Sequence, residues 1–299
     1  MSDTASVPVK ARERVPFWDN ARFACIVLVV IGHAIQRQTS DSDNALALYL
    51  FIYAFHMPAF AIVSGYFSKA SPPGLRQIRR VITDFVLPYV IMQSIWSLVQ
   101  WLVEGKNAFN PSEPHWTLWF LLALAIFRVV LPYLAVMRWP LLWALVASVG
   151  VGYLANVDST FSLSRAIGIL PFFVLGWKLR SWGLADRWRG LPTGAVWGVR
   201  AASIGVLAVW MAVVVVDIQA FRDFDLRFWF FYDESYQGLG EPEWWAGLLR
   251  LGLIGLAVLL TAAFLTLVPR RQTFFTGFGQ ATMYVYLLHS FVLYPIRES

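Results

Sequence analysis

Three residues near the start of the chain carry the first chemistry. Asp19 and Arg22 open an apolar run, FWDNARFACIVLVVIGHAIQ, and His33 lies deep inside it. An α-helix turns ~100° and rises ~1.5 Å per residue, so Asp19, Arg22 and His33 share one face, with about 16 Å between Arg22 and His33 along the axis. Turned to lipid, such a stripe would cost several kcal/mol, so it is expected to face the protein interior or a wet cavity. Histidine changes charge closest to neutral pH, which suits a neutral His33 to accept a proton as a general base. Two readings of the acid–arginine pair stand. It belongs to one polar path leading to His33, or Arg22 reaches the headgroups and pairs with Asp19 there.

Further polar residues interrupt later apolar runs. His56 precedes Met57 and Pro58, and Pro58 is expected to kink its helix and free backbone carbonyls. Ser64 and Gly65 follow, where a glycine permits close approach of a ligand or of another helix. The stretch GLRQIRRVITDF brings Arg76, Arg79 and Arg80 together; guanidiniums suit phosphate groups, and the same residues also serve as topology signals touching anionic lipid. His115 lies beside two tryptophans in HWTLW, as an interfacial aromatic belt would. His289 lies in the last apolar run. The histidines are too far apart in sequence for a zinc pair, and no metal site is expected. Cys25 stands alone, so no disulfide framework or thiolate site can form. There is no P-loop, no glycine-rich dinucleotide turn and no G-x-S-x-G elbow.

These residues need a scaffold, and composition names it. Of 299 residues 58% are hydrophobic and only 14% charged, against roughly a quarter charged in a soluble domain. Apolar stretches of helical length lie at about 17–37, 45–67, 82–103, 116–136, 140–155, 163–179, 196–217, 244–268 and 275–296. A span needs about 20 residues and at least about 17, so the fifth and sixth are the shortest candidates. None alternates with period two as a membrane barrel would. The expectation is an all-α, polytopic transmembrane helix bundle of about nine to ten helices.

The formal charge of +6 falls in short loops and acts as a topology signal; no nucleic-acid partner is expected. With the N-terminus in the cytoplasm, the inner side holds Lys10, Arg12, Arg14, Lys69, Arg76, Arg79, Arg80, Arg138, Lys178, Arg180, Arg187, Arg189, Arg270 and Arg271. The outer side holds only Arg37, Lys106, Arg222 and Arg227, with most of the acids. That asymmetry predicts a cytoplasmic N-terminus and a multi-pass protein of the cell membrane. Residues 1–16 lack a signal-peptide pattern and are expected to form a disordered tail. The outer connection 218–243 is rich in aromatics and acids, as a solvated loop, an interfacial helix or a lid would be.

The run FWDNARFACIVLVVIGH resembles the opening helix of the acyltransferase-3 family of membrane acyltransferases, whose hallmark spacing Arg22 and His33 satisfy. Its wording is most similar to the branch related to fucose 4-O-acetylases. FHMPAFAIVSGYF, RRVITDFVLPY, LWFLLAL with Arg128, FFVLGW and YVYLLH follow in that branch's order, over about residues 17–290. The resemblance implies a single domain over 17–299, with the family's final helix absent or shortened. It implies a cytoplasmic acyl-CoA donor and an extracytoplasmic acceptor, usually a sugar or glycolipid; acetyl-CoA is the expected donor, and no permanently bound cofactor is expected. It also implies His33 as the essential histidine, Arg22 as its partner, Arg79 and Arg80 at the CoA phosphates, and Ser64, Gly65 and Tyr66 as the SGY motif. Direct transfer and an acyl-histidine intermediate are both compatible with these residues. A transporter or flippase would also use a buried Arg22/His33 stripe and a proline-broken helix, and is the alternative from a different class.

Overall fold

The structure is a computed structural model that describes residues 14–71, 74–105 and 109–298. Lys10, Arg12, Lys106 and nearly all of the expected tail lie outside the described residues. Helix and turn account for the described chain, with no strand among the described residues.

Each apolar segment of the sequence has a helical counterpart. They are α1 (Pro16–Ile35), the pair α2 (Asp43–Tyr53) and α3 (His56–Tyr66), the pair α4 (Leu75–Val81) and α5 (Leu87–Glu104), α6 (Trp119–Ala135), α7 (Pro140–Val151) and α8 (Leu163–Ser181). After a short α9 (Leu184–Gly190) come α10 (Thr193–Val216), two small helices α11 (Ile218–Asp223) and α12 (Leu226–Trp229), α13 (Ala246–Leu267) and α14 (Thr282–Glu298). Among the described residues six stretches are long and apolar enough to cross a membrane, counting Asp43–Tyr66 and Leu75–Glu104 as one each. α7 is shorter than expected. Its 12 residues rise only ~18 Å, well under the ~30 Å hydrocarbon layer.

Prolines explain the breaks. Pro58 has no N–H to give Ala54 and its ring crowds that carbonyl. The helix therefore parts at Ala54 and Phe55, and α3 restarts at His56 with Pro58 in its first turn. Pro88 acts in the same way on Asp84, and a π-helical turn over Ile82–Val86 absorbs the mismatch between α4 and α5.

The bundle is inside-out in the manner lipid requires. In the most apolar 18-residue stretch of the Asp43–Tyr66 span 78% of residues are buried, whereas in that of α10 only 17% are. The exposed remainder of α10 includes Ile204, Val209, Val215 and Val216, an apolar surface that is stable in hydrocarbon and not in water. The centre is a tight pairing of α3 with α8. A side chain on Gly65 would collide with the Phe173 carbonyl, and one on Gly176 with the Ile62 carbonyl. Two glycines thus let two backbones meet, the commonest use of small residues between membrane helices. Gly65 of the SGY motif is spent on this contact.

Contacts between loops sort the bundle into two ends. At one, Asn20 of α1 donates to the carbonyls of Pro269 and Arg271, both at 3.0 Å, and Arg270 donates to the carbonyls of Trp188, Arg189 and Leu191. At the other, Arg222 donates to Thr39 O at 2.9 Å, Phe161 N to Ser112 O, and Tyr236 N to Gly152 O. The first end gathers the arginine-rich loops and the second the acidic ones, the same partition that the loop charges predict.

Candidate active site

α1 enters at the arginine-rich end, and Asn20 fixes its angle. Besides its two donated bonds, its Oδ1 accepts from Thr276 Oγ1 at 2.7 Å and from Thr273 Oγ1 at 3.2 Å. All of the amide's polar atoms are satisfied, and Gly279 packs directly against the Asp19 carbonyl. Sequence reading passed over Asn20, although an amide inside an apolar helix is itself a signal.

With α1 so held, Arg22 donates to Asp19 Oδ1 at 3.0 Å and its guanidinium lies 4.4 Å from the centre of the Phe67 ring. Both residues line a cavity of about 850 Å³, within the size range of ligand sites. Arg14, Arg128, Arg180 and Arg189 line it too, with Ser64, Tyr66 and, at its far side, Phe120 and Tyr286. Asp19 is half-occupied by Arg22, and Asp186 pairs with Arg189. Arg128 and Arg180 have no carboxylate within ion-pair distance among the described residues. The cavity therefore carries surplus positive charge suited to phosphate groups. Arg76, Arg79 and Arg80 are exposed on α4 and are not among its lining. Arg128 and Ser64 are brought together by tertiary structure; the α4 arginines stay outside.

Between Arg22 and His33 the inward face of α1 is filled by Ile26 and Val29, both buried. The expected polar stripe is thus two polar stations joined by an apolar stretch. At the second station three aromatic and imidazole rings surround His33. Tyr53 OH stands 3.4 Å from His33 Nδ1. The ring centres of Trp116 and His289 lie 5.1 and 5.5 Å from that of His33.

His289 is oriented by its own helix. Its Nδ1 donates to the carbonyls of Tyr286 at 2.8 Å and Val285 at 3.1 Å, so Nε2 carries the lone pair. That Nε2 is buried and has no partner among the described residues, an unusual state for a buried polar atom. His56 differs. Its Nδ1 donates to Ile52 O at 3.0 Å, and its ring lies edge-on beneath Tyr53 at 4.4 Å. It braces Tyr53 and lines neither cavity.

Trp116 arrives by a loop that α5 captures. Gln93 donates to the carbonyls of Asn110 and Glu113 at 2.9 and 2.8 Å and accepts from His115 N at 2.9 Å. Trp116 Nε1 then donates to Gln36 Oε1 at 3.3 Å. The aromatic pair in HWTLW reaches the site as well as the interface. His115 faces Ser97 Oγ at 3.3 Å, and burial lowers its pKa from the usual imidazole value while Glu104 opposes the shift.

Sequence reading also missed Arg165. It extends from the first turn of α8, pairs with Asp233, and lies over Trp119 at 4.6 Å and Phe231 at 5.4 Å. An arginine inside an apolar segment was a usable signal; nothing local marks Asp233 among its acidic neighbours.

A second cavity, of about 430 Å³, opens at the acidic end against Gln36, Arg37, Thr39, Tyr49, Arg227 and Phe231. Tyr49 stacks on Tyr53 with ring centres 3.7 Å apart. A chain of neighbouring rings, Tyr286, His289, His33, Tyr53 and Tyr49, thus links the lining of the arginine cavity to that of the second. Among the described residues no cluster of three or more His, Cys, Asp or Glu could hold a metal ion.

Comparison with known proteins fits this picture. The sequence model of a family described as "Acyltransferase domain" matches residues 15–298. Nodulation protein NolL of Mesorhizobium japonicum is 25% identical over 235 residues, covering 72% of this chain and 57% of NolL. The chain therefore spans little more than half the length of that curated relative. No solved structure matches.

Proposed function

Because the chain belongs to the acyltransferase-3 family, we propose that this membrane acyltransferase moves an acetyl group from cytoplasmic acetyl-CoA to a hydroxyl of an extracytoplasmic sugar or glycolipid, working in the cell membrane. The observation that carries the reading is the position of His33 between two cavities that open at opposite ends of the bundle. The phosphates of CoA lie among Arg22, Arg128, Arg180 and Arg189, the arginine-lined cavity. The pantetheine arm of CoA passes Phe120 and Tyr286 and delivers the thioester towards His33. The acceptor enters through the second cavity, past Tyr49.

His33 donates its Nδ1 proton to the Tyr53 oxygen, which leaves the Nε2 lone pair free. The acceptor oxygen bonds to the thioester carbonyl carbon while its proton passes to Nε2. The carbon–sulfur bond breaks, and the departing thiolate takes the proton from the imidazolium as free CoA. The bare Nε2 of His289 accepts a hydrogen bond from the acceptor sugar and fixes its approach. Arg165, set behind Trp119 and Phe231, adds positive potential near the carbonyl oxygen as negative charge develops there.

Replacing His33 with Gln tests the assignment. Acetyl transfer should fall by about 10²–10⁴-fold, the typical contribution of a general base. CoA should still raise the melting temperature of the variant, because its phosphate site is remote. Transfer at the native rate by H33Q would end this reading. Loss of CoA binding along with activity would mean that His33 holds the donor and is not the base.

A further inference from the structure

We propose that the cavity at the acidic end binds a negatively charged saccharide unit of the acceptor, one bearing a carboxylate or a phosphate. The inference rests on the acceptor entering from this side, and it names the class of sugar. Among the described residues this end of the bundle has three basic side chains in its loops, Arg37, Arg222 and Arg227, in a region otherwise rich in acids. All three converge here. Arg37 and Arg227 line the cavity, and no carboxylate does. Arg222 stands behind, tied to Asp43 at 2.7 Å and to the Thr39 and Ser40 carbonyls, so it shapes the wall and is already neutralised. Arg227 meets Asp225 only at 3.6 Å through Nε and reaches Thr39 Oγ1 at 3.4 Å. Arg37 is exposed, with no carboxylate within ion-pair distance among the described residues. Arg37 is unpaired among the described residues and Arg227 has only a long, largely exposed pairing, so the two arginines leave the cavity positively charged, and a ligand anion would complement them.

The rest of the lining fits a sugar ring. Tyr49, Phe228 and Phe231 contribute aromatic rings to the lining, and Gln36 and Ser40 contribute hydrogen-bonding groups. The volume of about 430 Å³ holds one or two saccharide units and not a long chain. The end of α1 sets the register, because His33 lies in its last turn and Gln36 and Arg37 follow directly, Arg37 opening the short 3-10 turn Arg37–Thr39. An anion on Arg37 therefore fixes which hydroxyl of the sugar lies towards Tyr53 and His33.

The test is a binding measurement without any acyl donor, on the full chain in zwitterionic lipid nanodiscs. Glucuronate, glucose 1-phosphate, glucose and inorganic phosphate are titrated separately by calorimetry. The proposal expects at least one of the two anionic sugars to bind about tenfold or more tightly than glucose, as two charge-assisted hydrogen bonds would give; which one it is identifies the anion. That preference should vanish in R37Q/R227Q and weaken in R37Q alone, whose exposed side chain leaves the fold intact. It should persist in H33Q, where transfer is lost, so the two proposals fail separately. Equal binding of all three sugars, no binding by any of them, inorganic phosphate binding as tightly as the sugar phosphate, or a preference that survives R37Q/R227Q would each overturn it.

Discussion

Gly32 offers a way to disturb His33, the proposed base, without touching it. A methyl group placed on Gly32 would stand 2.9 Å from Tyr53 Cε2. Carbon atoms rest ~3.5–4.0 Å apart, so the ring must recede from α1 by ~0.6–1.1 Å. Tyr53 cannot rotate aside freely, because it is stacked on Tyr49 at 3.7 Å and braced edge-on by His56 at 4.4 Å. Receding from α1 also means receding from His33, and the Tyr53 OH–His33 separation is already 3.4 Å. The G32A variant should therefore lose that hydrogen bond. A neutral hydrogen bond contributes ~0.5–1.5 kcal/mol, so kcat should fall about 2–10-fold. Stability should change less. Alanine gains ~1 kcal/mol of helix propensity over glycine while overpacking costs ~1–3 kcal/mol, leaving a net loss of ~0–2 kcal/mol. The assay is free-thiol release from acetyl-CoA by membranes supplied with an envelope-glycan extract, alongside the melting temperature. Y53F should show a similar fall in kcat, and adding G32A to Y53F should cost little more, since both remove one interaction. Fully additive losses, or a G32A enzyme with native kcat, would refute the coupling of Gly32 to His33 through Tyr53.

Two other outcomes follow from packing and charge. Replacing Gly65 with Val drives a side chain into the Phe173 backbone; folded protein recovered from membranes should fall sharply, and its stability by ~3 kcal/mol or more, whereas S64A on the same turn should keep its fold and alter only kinetics. The exposed Arg79 and Arg80 should act on CoA only at long range. Their Gln variants should raise KM for acetyl-CoA a few-fold at low salt and scarcely at 1 M salt, where the Debye length is ~3 Å, whereas R128Q in the cavity should raise it at both.

Much of the scaffold is legible in the sequence because its causes are local. The lengths of the apolar runs set the helices, and Pro58 and Pro88 set the breaks at Ala54 and Ile82–Val86. The charge of each loop sorts the loops into the two groups that the tertiary contacts reproduce. Helical period alone puts Asp19, Arg22 and His33 on one face. The same logic fails for α7, whose hydrophobicity runs on past Val151 although its helix stops there.

The neighbours of His33 come from tertiary structure alone. His289 approaches His33 from the other end of the sequence. Trp116 depends on Gln93 folding a loop, and Tyr53 depends on a helix break. Which arginines line the larger cavity is decided in the same way. The clustered trio on α4 is conspicuous in sequence yet exposed, while Arg128, Arg180 and Arg189 are scattered in sequence and converge in space. Local sequence sets the periodicity and polarity of each helix. How close two helices come, and so which side chains meet, is set by small residues such as Gly65 and Gly176 at crossings that no single segment encodes.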